Sequence, residues 1–254
     1  MWHEYASSLD RYPRRFATST IEPLVNPPSA KFLMNILENM MRNLFVLTAI
    51  AAAIVAAASA SAAPAYSWNL SRSMMTGFNA NPFGEGQVWT AMYDAAGETL
   101  NPANFQVMPT FMPSYNNSPQ DAWAFPSSHS LIVMVTTAPL PMGASPVVPR
   151  GMPMLHPGPG KSSVIRWMSP INGQVQVLGR VSDANAGCGN GVNWAVLRDG
   201  STVAAGTLAN GANGDVVSFS APVQPGTSLY FVVSPNGSNH QCDSTIFDVL
   251  IAGK

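Results

Sequence analysis

From Ser163 onward the chain is a series of seven short runs in which apolar and polar residues alternate, and few architectures other than a β-sandwich accommodate that pattern. The runs are Ser163–Met168, Gly173–Ser182, Val192–Arg198, Thr202–Leu208, Asp215–Ala221, Ser228–Ser234 and Thr245–Ile251. Between them stand Asn172-Gly173, Asp199-Gly200, Pro225-Gly226 and Asn236-Gly237, pairs that accept positive φ or preset a turn angle. Side chains alternate between the two faces of a strand, so each run offers one apolar face that needs a second layer to cover it. The fold class expected is all-β, a β-sandwich or jelly roll of two antiparallel sheets. Repeated parities assign the core to Val164, Val175, Val177, Val181, Trp194, Val196, Phe219, Leu229, Phe231, Val233, Phe247 and Val249. Each such side chain, fully buried, contributes about 1.5–3 kcal/mol.

Upstream the pattern is less regular. Gln87–Tyr93 and Ser130–Val135 read as strands, while Pro102, Pro109, Pro113, Pro119 and Pro126 confine strands near Phe105 and Trp123 to short or edge positions. The proline-rich run from Pro139 to Pro159 reads as a long loop crossing one end of the sandwich.

The front of the chain is of another kind. From Met41 it runs MRNLFVLTAIAAAIVAAASASAAPAY: a basic start, a short apolar run and small residues at Ala58-Ser59-Ala60 or Ala60-Ser61-Ala62, the plan of a secretory signal peptide. The apolar run is shorter than the roughly 20 residues a membrane span needs. Residues 41–62 are therefore read as a helical signal peptide and residues 1–40 as a disordered extension from a translation start placed too early. Residues 63–254 are expected to form a single β-sandwich domain, with no membrane span after cleavage and a secreted, periplasmic or extracellular location.

Charge narrows the partners. From Ser61 on, seven basic residues face nine acidic ones, with no basic patch to neutralise phosphates, so nucleic acid is not an expected partner. Cys188 and Cys242 are the only cysteines, and an even pair in an exported protein reads as a disulfide. Closing that loop stabilises the fold by about 3–4 kcal/mol in the chain-entropy treatment.

Catalytic groups are sparse. The exported portion has two glutamates, Glu85 and Glu98, three histidines, His129, His156 and His240, and no G-x-S-x-G element, so no enzyme activity is expected. The sole cofactor with a candidate ligand set is a structural calcium, for which Asp183, Asp243 and Asp248 supply hard oxygen donors, although a complete calcium-loop spacing is absent. Saccharide recognition uses aromatic faces together with amide and carboxylate groups. Tyr115, in the polar loop Pro113 to Gln120, and Trp123 are the aromatic candidates, with Asn190 and Asn193 as polar partners.

Taken together, His156-Pro157-Gly158, VIRWMSPINGQVQVLGRVSD from Val164, GNGVNWAVLRDG from Gly189, LYFVVSPNG from Leu229 and CDSTIFDVLI from Cys242 resemble a widespread family of bacterial secreted β-sandwich modules. NPFGEGQVWTAMYDAAG from Asn81 is similar to the start of the same module. The resemblance implies a jelly-roll domain similar to carbohydrate-binding modules, and it implies no characterised activity. The chain ends at Lys254 without the sorting segment that some members carry, which favours simple release. The function expected is that of an exported, non-catalytic binding or cell-surface protein that recognises a glycan or another extracellular polymer. The alternatives are a structural or matrix interaction domain and a secreted hydrolase.

Overall fold

The computed structural model describes residues 66–76, 88–125, 132–143 and 147–253, together with Ala30, Lys31, Met34, Asn35 and residues 37–42. The chain divides into two compact units, Met1–Ser61 and Ala62–Lys254. In the first, the described residues are helical and exposed. Most of the stretches read as an N-terminal extension and a signal peptide, the cleavage site included, lie outside the described residues. Among the described residues, no helix is long and apolar enough to cross a membrane.

The second unit is a sandwich of two antiparallel sheets, as the alternating runs require. It begins with strand β1 (Ser67–Asn69) and helix α1 (Leu70–Thr76). Next come β2 (Trp89–Asp94), β3 (Phe105–Val107), β4 (Thr110–Met112), β5 (Gln120–Ala124), β6 (Ile132–Thr136) and β7 (Pro153–His156). The regular half then supplies β8 (Ser163–Met168), β9 (Gly173–Asp183), β10 (Val192–Arg198), β11 (Ser201–Leu208), β12 (Asp215–Val223), β13 (Ser228–Pro235) and β14 (Thr245–Gly253). One sheet has the order β12-β9-β14-β7-β6-β5-β4, with β1 also paired to β14, and the other runs β11-β10-β13-β8-β2-β3.

Each of the seven predicted runs after Ser163 is a strand, within two residues at either end. Two features depart from expectation. The proline-rich run holds β7, which pairs with both β6 and β14 in the interior of its sheet. Its proline is the first residue of the strand, where the missing N–H is least disruptive. Helix α1 carries no long apolar period, and is started by Asn69, whose side-chain oxygen accepts the backbone N–H of Arg72 at 2.7 Å. As expected, Phe105 and Trp123 sit in short strands, of three and five residues; β3 is also an edge, and β5 is flanked by β4 and β6.

Ten of the twelve predicted core residues lie buried between the sheets, Phe231 and Phe247 completely, together with Trp167, which the parities do not single out. Phe231 and Phe247 meet edge to face at 5.5 Å between centroids, a favoured aromatic geometry. Two assignments shift. Val164 is buried on the outer face of its sheet beside Met92, Phe105 and Val232, and Phe219 is only partly buried. Strand β8 is covered on both faces and so hides both parities, which alternation cannot distinguish, whereas Phe219 keeps the core-facing parity of Val217 and Ala221 and is partly open because β12 is an edge strand.

Candidate functional site

Two places hold candidate residues, one of them Tyr115 alone and the other Asp183 with Asp243. The first is an open groove of about 390 Å³ formed by Met112–Asn117 with Ala124 and Phe125. Its wall is the turn between β4 and β5, where Ser114, Asn116 and Asn117 all adopt positive φ, a conformation that Asn tolerates better than most residues. The turn is held by the backbone N–H of Ser114, which donates to Asp121 Oδ1 at 2.8 Å, and by the Ser118 hydroxyl, which donates to the Tyr115 carbonyl at 2.5 Å. Both asparagine side chains are left exposed, and Tyr115 is half-buried, packed against the outer-face cluster of Ala122, Met134 and Met154. Phe125 packs on Tyr93 at 4.5 Å between rings. Lys161 Nζ stands 6.0 Å from the Phe125 centroid, a cation over an aromatic face.

Trp123 does not join this groove. It is 1% exposed and packs on Phe111 at 4.9 Å, because β5 lies one strand in from the edge and turns this residue toward the intersheet core. The exposed platform expected at Trp123 is therefore corrected, and Phe125, just past the end of β5, lines the groove instead. Sequence reasoning misses Phe125 because an aromatic beside Pro126 gives no periodic signal of which side it faces.

The second place is the end pinned by the disulfide between Cys188 and Cys242, whose Cα atoms are 5.6 Å apart. Asp183 closes β9 opposite Thr245 of β14. Its Oδ1 accepts the Asn185 N–H at 2.7 Å and its Oδ2 the Gly211 N–H at 2.6 Å. Asp243 is 3% exposed, and neither of its carboxylate oxygens has a hydrogen-bond partner. Burial, and after it the charge of Asp183, pushes the Asp243 carboxyl up to about 7. The two acids line a cavity of about 10 Å³ with Gly191, Leu208, Asn210 and Cys242. Glycine is required at position 189, with φ of +98°, since a Cβ there would stand 2.9 Å from the Gln241 carbonyl and 3.1 Å from Asp243 Oδ1.

The remaining predicted residues are elsewhere. Asn190 is engaged in a reciprocal clasp, donating from Nδ2 to the Asn236 carbonyl while Asn236 Nδ2 donates to the Asn190 carbonyl at 3.2 Å. Asn193 lines a separate outer-face groove of about 360 Å³ with Ala205, Thr207 and Leu100, and its Oδ1 accepts the Thr207 hydroxyl at 2.8 Å. Asp248 is not with Asp183 and Asp243. It pairs in register with Arg180, three residues along β14 from Thr245, or roughly 10 Å. There it is half-buried on the face opposite Phe247 and Val249, and burial raises its carboxyl. Among the described residues no group of three or more His, Cys, Asp or Glu side chains converges as a metal cluster. Glu85 and His129 lie outside the described residues.

No family model and no curated protein matches the chain. Among solved structures it overlaps the carbohydrate-binding module CBM51 of Clostridium perfringens, determined with methyl-galactose, at 17% identity and a TM-score of 0.33 over 45% of this chain and 80% of that one. A second overlap is the C-terminal CBM6 module of a laminarinase from Zobellia galactanivorans, at 19% identity and 0.24, over 37% and 81%. Both overlaps involve less than half of the chain, and the two-sheet class rests on the strand order described above.

Proposed function

We propose that the β-sandwich unit is an exported, non-catalytic binding module that takes a saccharide in the groove at Met112–Asn117. The observation that carries this reading is the groove itself. Its volume falls within the range of small-ligand sites, a half-buried tyrosine and a phenylalanine line it, and two exposed asparagines rim it. Aromatic faces suit the CH-rich side of a pyranose and amides suit its hydroxyls. Among the described residues, its lining contains no acid, histidine or cysteine. The carboxylates at the disulfide end face a cavity of about 10 Å³, too small for a sugar ring, so they are poorly placed as a glycosidase pair. Screening the full chain on a glycan array tests the reading. Saccharide-selective retention is expected, and uniform absence of binding across neutral, acidic and amino-sugar polymers overturns it in favour of a structural interaction domain.

A further inference from the structure

The disulfide end contains an electrostatic arrangement that the groove does not use. A carboxylate removed from water needs a hydrogen bond or an opposite charge, and Asp243 is 3% exposed with neither oxygen hydrogen-bonded. The other acid of the cavity lining, Asp183, adds like charge. Asp183 is itself anchored by two backbone N–H groups, so it is fixed at the cavity wall. The two acids do not share a proton through a hydrogen bond, because Asp243 makes none. Among the described residues lining the cavity there is no lysine, arginine or histidine to balance them.

We propose that this cavity binds one calcium ion between the carboxylates of Asp183 and Asp243. Two carboxylates match a divalent charge, and oxygen donors select a hard cation. Zinc and copper are disfavoured, since among the described lining residues the one sulfur belongs to a disulfide and there is no imidazole. A volume of about 10 Å³ admits roughly one water-sized sphere, enough for a bare ion and too little for one carrying its hydration shell. The ion links the end of β9, the turn after β11 and the Cys242–Thr245 segment, which the disulfide already gathers. Asp248 takes no part, being roughly 10 Å further along β14 on its outer face. This site is independent of the groove, so saccharide binding and calcium binding can fail separately.

The test uses the full chain, stripped with chelator and titrated with calcium chloride by calorimetry, with thermal melting and elemental analysis of the metal content in parallel. One calcium per chain is expected, with a melting temperature that rises by several degrees in millimolar calcium and returns on chelation. Asp243→Asn should weaken binding at least tenfold, and Asp248→Asn should bind as the wild type does. A wild-type chain that retains no calcium and shows no shift overturns the proposal, as does undiminished binding by Asp243→Asn. Should that variant fail to fold, Asp183→Asn takes its place with the same two outcomes, and the wild-type metal content decides independently of either.

Discussion

The stretch from Tyr66 to His156 and the stretch from Ser163 to Gly253 contribute to the same two sheets by different means. The later stretch has seven strands of six to eleven residues, tight glycine turns and a covalent staple. The earlier one has strands of three to six residues separated by proline-bearing loops and one short helix. Both bury large side chains completely, Trp123 in the one and Trp167 and Phe231 in the other. The contrast shows that regular strand pairing and core burial are separable: a short strand can place an aromatic in the core as securely as a long one. It also divides the candidate sites, since the open groove belongs to the irregular stretch and the closed acidic cavity to the regular one.

The contrast breaks most visibly at the staple. Replacing Cys188 and Cys242 together by serine frees a loop of 54 residues and should cost about 4 kcal/mol, read as a lower denaturant midpoint with a steeper slope, because the denatured chain without the cross-link is more expanded. A loss below about 1 kcal/mol would mean that strand pairing alone fixes this end.

The seam between the two stretches is tested by pH. His156 of β7 sits with its Nδ1 3.2 Å from the Ser244 hydroxyl and its ring 6.4 Å from that of His240. Burial, and after it the neighbouring His240, holds His156 down at about 4. The unfolded chain therefore binds a proton at His156 below about pH 6.5 while the folded chain does not. Stability from this residue is complete above about 6.5 and is lost as pH falls toward 4, by up to about 3 kcal/mol. Comparing wild type with His156→Gln isolates the effect, because the other titrations cancel in the difference. Parallel stability curves for the two proteins across that window would remove the seam from the account.

A smaller effect sharpens the picture of the pinned end as tightly packed. Gly189→Ala places a Cβ against the Gln241 carbonyl and Asp243 at a positive φ and should cost about 2 kcal/mol by thermal melting. An alanine tolerated there without loss would show that the loop has slack.

How far the sequence can be read follows the same division. Alternation locates β8 to β14 because their strands are long enough for the period to repeat, and glycine turns mark their ends. Strand β7 reads as loop because Pro153 heads it and only Met154, Leu155 and His156 follow, too few to show a period. At the sites, Asp183 and Asp243 are legible as oxygen donors flanking the staple. Asp248 groups with them by residue type, and only the register with Arg180 separates it. Tyr115 is legible as an aromatic in a polar loop, whereas Trp123 and Phe125 exchange roles because their orientation depends on how β4 and β6 flank β5.

The smallest expected effect on stability accompanies the largest on function. Tyr115 is half-buried at the groove wall, so Tyr115→Ala should change stability by no more than about 1 kcal/mol. Titrating the wild-type chain and this variant with the saccharide selected from the array tests the central claim directly. The account predicts at least a tenfold weakening of saccharide affinity with the melting temperature nearly unchanged, and equal affinity for the two proteins would contradict it.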